Sequence, residues 1–260
     1  SLGEYSALVA IGSLPLGAAV RWVRERGLAM QRAVPKGEGT MAAILGLDDA
    51  LILTLCERAT SEAIKKRAEN SGDPDELSVE AIVEPANYNS PGQVVIAGSK
   101  DGIAEAIHLI KTDSEFSKGK IIPLQVSAPF HCKLMAPARE RMAEIFSQVE
   151  AAHKPKMPIC PYVPNRTARM TREAGLVFEL LIEQVDHPVL WKQSVTTLLD
   201  AGYTHSVEFG PGKVLSGLIK RIAPQSSSEN PRKYTQLSIN ESSHLKSLDV
   251  VLKSQERAYV

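Results

Sequence analysis

Apolar positions between residues 1 and 31 recur at intervals of three and four, the period of a helix face. They predict a helix from Ser1 to Ala10 and a second over Ala18–Gln31, parted by Gly12-Ser13-Leu14-Pro15 and stopped near Pro35-Lys36-Gly37. From Thr40 the texture changes. Met41–Leu47, Ile82–Tyr88, Gln93–Gly98 and Lys120–Val126 have the length and composition of strands, with helices over Asp48–Ala68 and Asp101–Lys111 between them. The order strand, helix, strand, strand, helix, strand is that of a ferredoxin-like split βαβ unit. It marks residues 39–126 as a subdomain inserted into a body made of residues 1–38 and 127–260.

The body resumes with a helix over Lys133–Val149, a strand at Ile159–Val163 and helices over Thr171–Gln184 and Leu190–Ala201. A strand at Ser206–Phe209, a helix over Lys213–Ile222, a strand at Tyr234–Ile239 and a helix over His244–Gln255 complete it. Strands alternating with helices imply an α/β fold with a mostly parallel, covered sheet.

Charge and composition remove several function classes. Lys+Arg and Asp+Glu each number 30, so no net field draws the chain to nucleic acid or an anionic membrane. Three cysteines, Cys56, Cys132 and Cys160, are widely spaced and outside any Cys-x-x-Cys pattern. That argues against a disulfide framework or a zinc site and suits a reducing cytoplasm. The uncharged run Tyr5–Val20 is too short for a membrane span and is interrupted by Pro15.

Candidate chemistry begins at the first residue. Ser1 with Glu4 three positions on is a capping box for the first helix. Ser-x-Gly is equally the second half of Gly-x-Ser-x-Gly, the strand-to-helix turn that exposes a nucleophilic serine, and the N-terminus of a helix stabilises negative charge beside its oxygen. A nucleophilic serine needs a base, usually histidine. Of six histidines, His131 stands out in Pro129-Phe130-His131-Cys132, after a strand and before a helix, where it serves either as a base or as a helix cap. His187 sits in a turn, and His108, His153, His205 and His244 occupy surface-like positions. Arg26 interrupts an otherwise apolar helix face that it shares with Met30, either as a solvated side chain or as a buried fork for a carboxylate. Gly210-Pro211-Gly212-Lys213 lacks the spacing of a phosphate-binding loop and reads as a tight turn. No carboxylate marks itself as a third member of a catalytic triad.

Six motifs, in order and over nearly the whole chain, resemble those of the malonyl-CoA:acyl-carrier-protein transacylases. They are Ser1-Leu2-Gly3-Glu4-Tyr5, Arg26-Gly27-x-x-Met30-Gln31, Asn87-Tyr88-Asn89-Ser90-Pro91-Gly92-Gln93, Pro129-Phe130-His131-Cys132, Pro188-Val189-x-Trp191 and Glu208-x-Gly210-Pro211-Gly212-Lys213-Val214-Leu215. The resemblance implies an α/β-hydrolase-like body with a mostly parallel sheet and an inserted ferredoxin-like subdomain. It implies that Ser1 accepts the malonyl group, that His131 is base and acid, and that Arg26 clamps the malonyl carboxylate. By the same resemblance the main-chain carbonyl of Gln184 orients the histidine, the N–H of Leu2 serves the oxyanion, and Met30 and Asn89 lie near the acyl pocket.

The implied activity is that of an [acyl-carrier-protein] S-malonyltransferase of fatty-acid biosynthesis, a cytoplasmic monomer. Its partners are a CoA thioester and the phosphopantetheine thiol of acyl carrier protein, with no cofactor, no metal, no nucleic acid and no membrane. The alternatives are the acyltransferase domain of a polyketide synthase, a serine hydrolase or thioesterase, an N-terminal-nucleophile hydrolase using the α-amine of Ser1, and a carrier-docking fragment without turnover. The family's Gly-Gln-Gly segment and the strand before the serine have no counterpart in this sequence, from which impaired turnover is expected. The Ser61–Glu84 region is longer than the family pattern and is expected to be a surface insertion.

Overall fold

A computed structural model describes residues 1–70, 79–225, 234–246 and 248. The chain divides into two compact units, Ser1–Ser194 and Val195–Val260. The first opens with helices α1 (Leu2–Ala10) and α2 (Leu16–Arg32). It continues through β1 (Gly39–Leu45), α3 (Asp49–Asn70), β2 (Val83–Ser90), β3 (Gln93–Ser99), α4 (Lys100–Thr112) and β4 (Lys120–Pro123). Two helices, α5 (Ala136–Ser147) and α6 (Val177–Glu183), follow.

The four strands form one antiparallel sheet in the order β2-β3-β1-β4, with Ala42 opposite Ile96 and Ala43 opposite Ile122. Alternation along the strands sends Ala42, Ile44, Val94 and Ile96 to one face, where Ile52 and Leu55 of α3, Ile103 of α4 and Phe116 of the 3₁₀ turn after it cover them. The opposite face carries Met41, Ala86, Val95 and Ala97 against Cys132 and the partly buried Phe130 and Leu134. Both faces are therefore apolar, which explains why β1 and β3 read as continuous hydrophobic runs. The second contact seats the Phe130-His131-Cys132 turn against the sheet.

The body packs α1, α2, α5 and α6 around Tyr5, Leu8, Trp22, Met142, Phe146 and Leu181. Trp22 stands edge-on to Phe146 and Phe178, at 5.3 and 5.4 Å between ring centroids, and these two stack at 4.3 Å. On α2 the buried side chains include Ala18, Trp22, Arg26 and Met30, a stripe spaced by four residues. An arginine thus occupies a core position of an apolar stripe.

The body departs from the sequence expectation in its strands. Ile159–Val163 forms no strand, only a single antiparallel bridge between Tyr162 and Thr171. Pro158, Pro161 and Pro164 punctuate that run and remove the donors a ladder needs. Among the described residues, the parallel pairing that stands in for the expected mostly parallel sheet is β5 with β6, described below, and a lone Asn87–Val189 bridge. The helix expected over Lys133–Val149 is a short 3₁₀ turn, Lys133–Met135, followed by α5, with Pro137 in its first turn. That expected over Thr171–Gln184 shortens to α6.

The helix α7 spans Trp191–Asp200. In the second unit, β5 (His205–Phe209) pairs in parallel with β6 (Thr235–Ile239), and α8 (Val214–Ile222) follows the Gly210-Pro211-Gly212 turn. Gly210 and Gly212 adopt φ of 127° and 89°, which a tight turn requires. The Glu208 carboxylate accepts from the backbone N–H groups of Leu215 and Ser216, so the start of α8 already holds an anion from the chain itself. The helix expected over His244–Gln255 lies largely outside the described residues, as does part of the Ser61–Glu84 region.

Gly98 shows how tightly the sheet is closed. A Cβ there would lie 2.0 Å from the carbonyl oxygen of Ile82. Gly98→Ala should destabilise the protein by at least the upper end of the ~1–3 kcal/mol typical of overpacking. Urea unfolding measures it, and a loss below ~0.5 kcal/mol would show that β2 gives way freely at this point.

Candidate active site

Five side chains from distant parts of the sequence meet beside the start of α1. Ser1 is the residue before the helix, and its hydroxyl oxygen accepts a hydrogen bond from Arg26 Nη2 at 2.7 Å. The same nitrogen donates to Oε1 of Gln184 at 3.0 Å. Gln184 donates in turn from Nε2 to Oε2 of Glu4 at 2.9 Å, and that carboxylate oxygen also accepts from the N–H of Asn165 at 3.0 Å. The main-chain carbonyl of Gln184 lies 2.8 Å from Nδ1 of His131. Gln184 is fully buried, so its three hydrogen bonds are made away from competing water.

The capping box expected at Ser1 and Glu4 does not form. Ser1 makes no side-chain capping bond, because Arg26 holds its hydroxyl. Glu4 points into the protein and is spent on Asn165 and Gln184. The signal for this was available: Glu4 lies one turn before Leu8, on the buried face of α1.

Electrostatics follow from burial. Arg26 is only 7% exposed, and no salt bridge among the described residues pairs it directly with a carboxylate. Burial lowers its pKa, while Tyr5 and Glu4 raise it. Glu4 is pushed up to about 7, chiefly by burial, against the pull of the Asn165 N–H, Arg26 and Gln184. His131 is pushed down to about 3, first by burial, with the positive charge of Arg26 acting in the same direction. Its ring is therefore neutral at physiological pH. Because a carbonyl oxygen can only accept, the Gln184 contact places the ring proton on Nδ1 and leaves a lone pair on Nε2. His131 adopts φ of 63°, uncommon for a residue other than glycine, and a local strain of the kind found at functional turns.

The sequence candidates separate into two groups. Ser1, Arg26 and Gln184, with His131 on the carbonyl of Gln184, are joined by the bonds above, and Leu2 supplies the first helical N–H after Ser1. The direct Ser1–His131 bond that a serine–base pair suggests is not among the hydrogen bonds of the described residues. A hydroxyl has one donor and two lone pairs, so accepting from Arg26 leaves the Ser1 O–H able to donate. Met30 is buried in the apolar core of the body. Asn89 is half-buried in β2, and none of the network's hydrogen bonds reaches it. Glu4 is the member that sequence reasoning missed. Among the described residues no group of three His, Cys, Asp or Glu side chains could hold a metal ion, and no helix is long and apolar enough to cross a membrane.

The family model described as the acyl transferase domain matches residues 1–238. The chain is 40% identical over 222 residues to the malonyl CoA-acyl carrier protein transacylase of Bacillus subtilis, covering 85% of this chain and 62% of that protein. It is 41% identical to the enzyme of the same name from Escherichia coli K12, again over 85% of this chain and 64% of the relative. Among solved structures, malonyl CoA-acyl carrier protein transacylase from Clostridium perfringens superposes with a TM-score of 0.80 at 30% identity, covering 99% of this chain and 71% of that one. The α/β fold is common to these structures. The chain thus spans less than two thirds of the length of the two curated relatives.

The raised pKa of Glu4 makes a prediction with a defined sign. Between its ordinary value of 4.5 and about 7 the folded protein holds a proton that the unfolded chain releases. The contribution of Glu4 to stability is therefore full below pH 4.5 and declines as the pH rises to about 7. His131 acts in the opposite sense, losing stability as pH falls from 6.5 towards about 3, but it is common to both proteins compared. The unfolding free energy of wild type minus that of Glu4→Gln should thus fall with rising pH across this window and flatten above it. Urea titrations at stepped pH measure it, and a difference that is flat or rising would contradict the burial of the Glu4 carboxyl.

Proposed function

The chain belongs to the acyl transferase domain family, and from that premise we propose that it transfers the malonyl group of malonyl-CoA to the phosphopantetheine thiol of acyl carrier protein, in fatty-acid biosynthesis. The observation that carries this reading is Arg26, a buried guanidinium without a carboxylate bonded to it, one hydrogen bond from Ser1. Taking a cation out of water costs several kcal/mol unless an anion compensates. An acyl group that ends in a carboxylate supplies that anion when it enters, and an acetyl group does not. The names of the relatives support the substrate and the carrier.

In the proposed reaction Ser1 Oγ attacks the thioester carbonyl carbon while its proton passes to Nε2 of His131. The developing oxyanion is met by the N–H of Leu2 at the start of α1. The C–S bond then breaks, CoA leaves as a thiol with the proton from His131, and malonyl-serine remains. The carrier thiol gives its proton to His131, attacks the same carbon, and Ser1 recovers its proton as the new thioester departs. The carbonyl of Gln184 holds the imidazole in the tautomer that both halves need, and stabilises the imidazolium formed transiently within each. By resemblance Met30 and Asn89 are placed near the acyl pocket. Neither metal nor cofactor is required. The proposed setting is the cytoplasm, as a monomer, and the three free cysteines suit a reducing compartment. The strand order β2-β3-β1-β4 with α3 and α4 on one face supports a ferredoxin-like subdomain at 39–126, set into a hydrolase-like body of residues 1–38 and 127–260.

Arg26 variants test the proposal. Arg26→Ala should lower kcat/KM for malonyl-CoA by roughly ten- to a hundredfold, the worth of a charge-assisted pair, while acetyl transfer holds steady or improves. Arg26→Lys should recover little, since a point charge cannot reproduce the planar fork. Equal losses on both substrates would make Arg26 a structural residue and remove the basis for malonyl selection.

A further inference from the structure

Glu4 is a carboxylate inside the site that the reaction steps do not use. It is 7% exposed, one helical turn from Ser1, and its Oε2 binds both Gln184 Nε2 and the Asn165 N–H. Its second oxygen, Oε1, is buried without a partner. Such a group is costly to keep, and its geometry shows what it does.

A primary amide is nearly symmetric in shape, so rotation by half a turn exchanges its oxygen and nitrogen with little change in packing. In the fully buried Gln184, neighbouring groups alone decide which end points where. Arg26 can only donate, and Oε2 of Glu4, which already takes the Asn165 N–H, can only accept, because any proton the carboxyl holds sits on the unpartnered Oε1. Placed at opposite ends, they lock the amide with Oε1 on the guanidinium and Nε2 on the carboxylate. Each bond polarises the amide in the direction that strengthens the other. The amide also keeps the two charges apart. Were Glu4 bonded to Arg26 directly, the cation would be neutralised and its donors used. With Gln184 interposed, Arg26 is anchored by a neutral acceptor, and its net charge stays available.

We propose that Glu4 is a positioning residue: it fixes the Gln184 amide as a neutral spacer, which aims Arg26 at Ser1 while reserving its charge for the carboxylate of an incoming acyl group. This rests on the reading that Arg26 grips that carboxylate. The carboxyl of Glu4 faces the charge of Arg26, with Tyr5 and Tyr162 also within its field. Its two hydrogen bonds tie the first turn of α1 to residues 165 and 184, and the carbonyl of residue 184 is the one that holds His131.

The test is the ratio of kcat/KM for malonyl-CoA to that for acetyl-CoA in the full chain, with acyl carrier protein as acceptor. Glu4→Gln keeps size and hydrogen-bonding capacity but can face Gln184 with either end of its own amide, so the spacer is no longer locked. The ratio should fall about tenfold, mainly through a higher KM for malonyl-CoA, with the circular dichroism spectrum unchanged. Gln184→Glu places a carboxylate directly on Arg26 and should lower the ratio in the same direction. A Glu4→Gln variant that folds and keeps the wild-type ratio, whatever its rate, would overturn the proposal, as would one that fails to fold, since Glu4 would then be structural. An unchanged ratio in Gln184→Glu would overturn it too. The two readings fail separately: loss of malonyl preference in Arg26→Ala with none in Glu4→Gln sinks the positioning role alone, whereas a wild type indifferent to the two substrates sinks both.

Discussion

Arg26 occupies a position where a helix of this pattern calls for leucine or methionine. Its neighbours on the stripe, Trp22 and Met30, are core residues, and Trp22 anchors the aromatic cluster with Phe146 and Phe178. Replacing one link of such a stripe with a guanidinium costs desolvation that no bonded carboxylate returns. The rest of the site is arranged around making that cation tolerable without neutralising it. Gln184 offers it an uncharged acceptor, Ser1 offers a hydroxyl, and Glu4 lends a field from one residue away.

Gln184 is consequently the junction of the site. Its side-chain oxygen serves Arg26, its side-chain nitrogen serves Glu4, and its main-chain oxygen serves His131. These bonds join α1, α2, the turn after β4 and the end of α6, segments up to 180 residues apart. A single residue thereby sets the tautomer of His131 and the position of Arg26 together. A disturbance on one side is carried to the other through hydrogen bonds sheltered from water, where each is worth more than at the surface.

Much of this was legible in the sequence, for physical reasons that differ from residue to residue. Arg26 was visible because a four-residue apolar period makes an interrupting charge conspicuous. The strands β1 and β3 were visible because both faces of the sheet are buried there, so their apolar runs are nearly continuous, and the turn between β2 and β3 is marked by Gly92 and its neighbours. Ser1 and His131 stood out locally, at a helix N-terminus and at a strand-to-helix turn, whereas Gln184 came only through motif resemblance, since no local pattern shows that residues 1, 131 and 184 converge. Glu4 was misjudged because Ser-x-x-Glu is also a capping box. Only its place on the buried face beside Leu8 separates the two roles. Ile159–Val163 has the apolar content of a strand but lacks the donors that Pro158, Pro161 and Pro164 remove, so no ladder forms there.

The account stands on Ser1 carrying the acyl group within reach of a cation reserved for its carboxylate. Intact-mass analysis and peptide mapping of the chain after a brief incubation with malonyl-CoA, without carrier protein, address that directly. One malonyl group should be found per chain, on the peptide containing Ser1, and it should leave when the carrier thiol is added. An adduct at another residue, or no adduct in a folded chain after prolonged incubation, would contradict the assignment of Ser1 and with it the purpose given to Arg26.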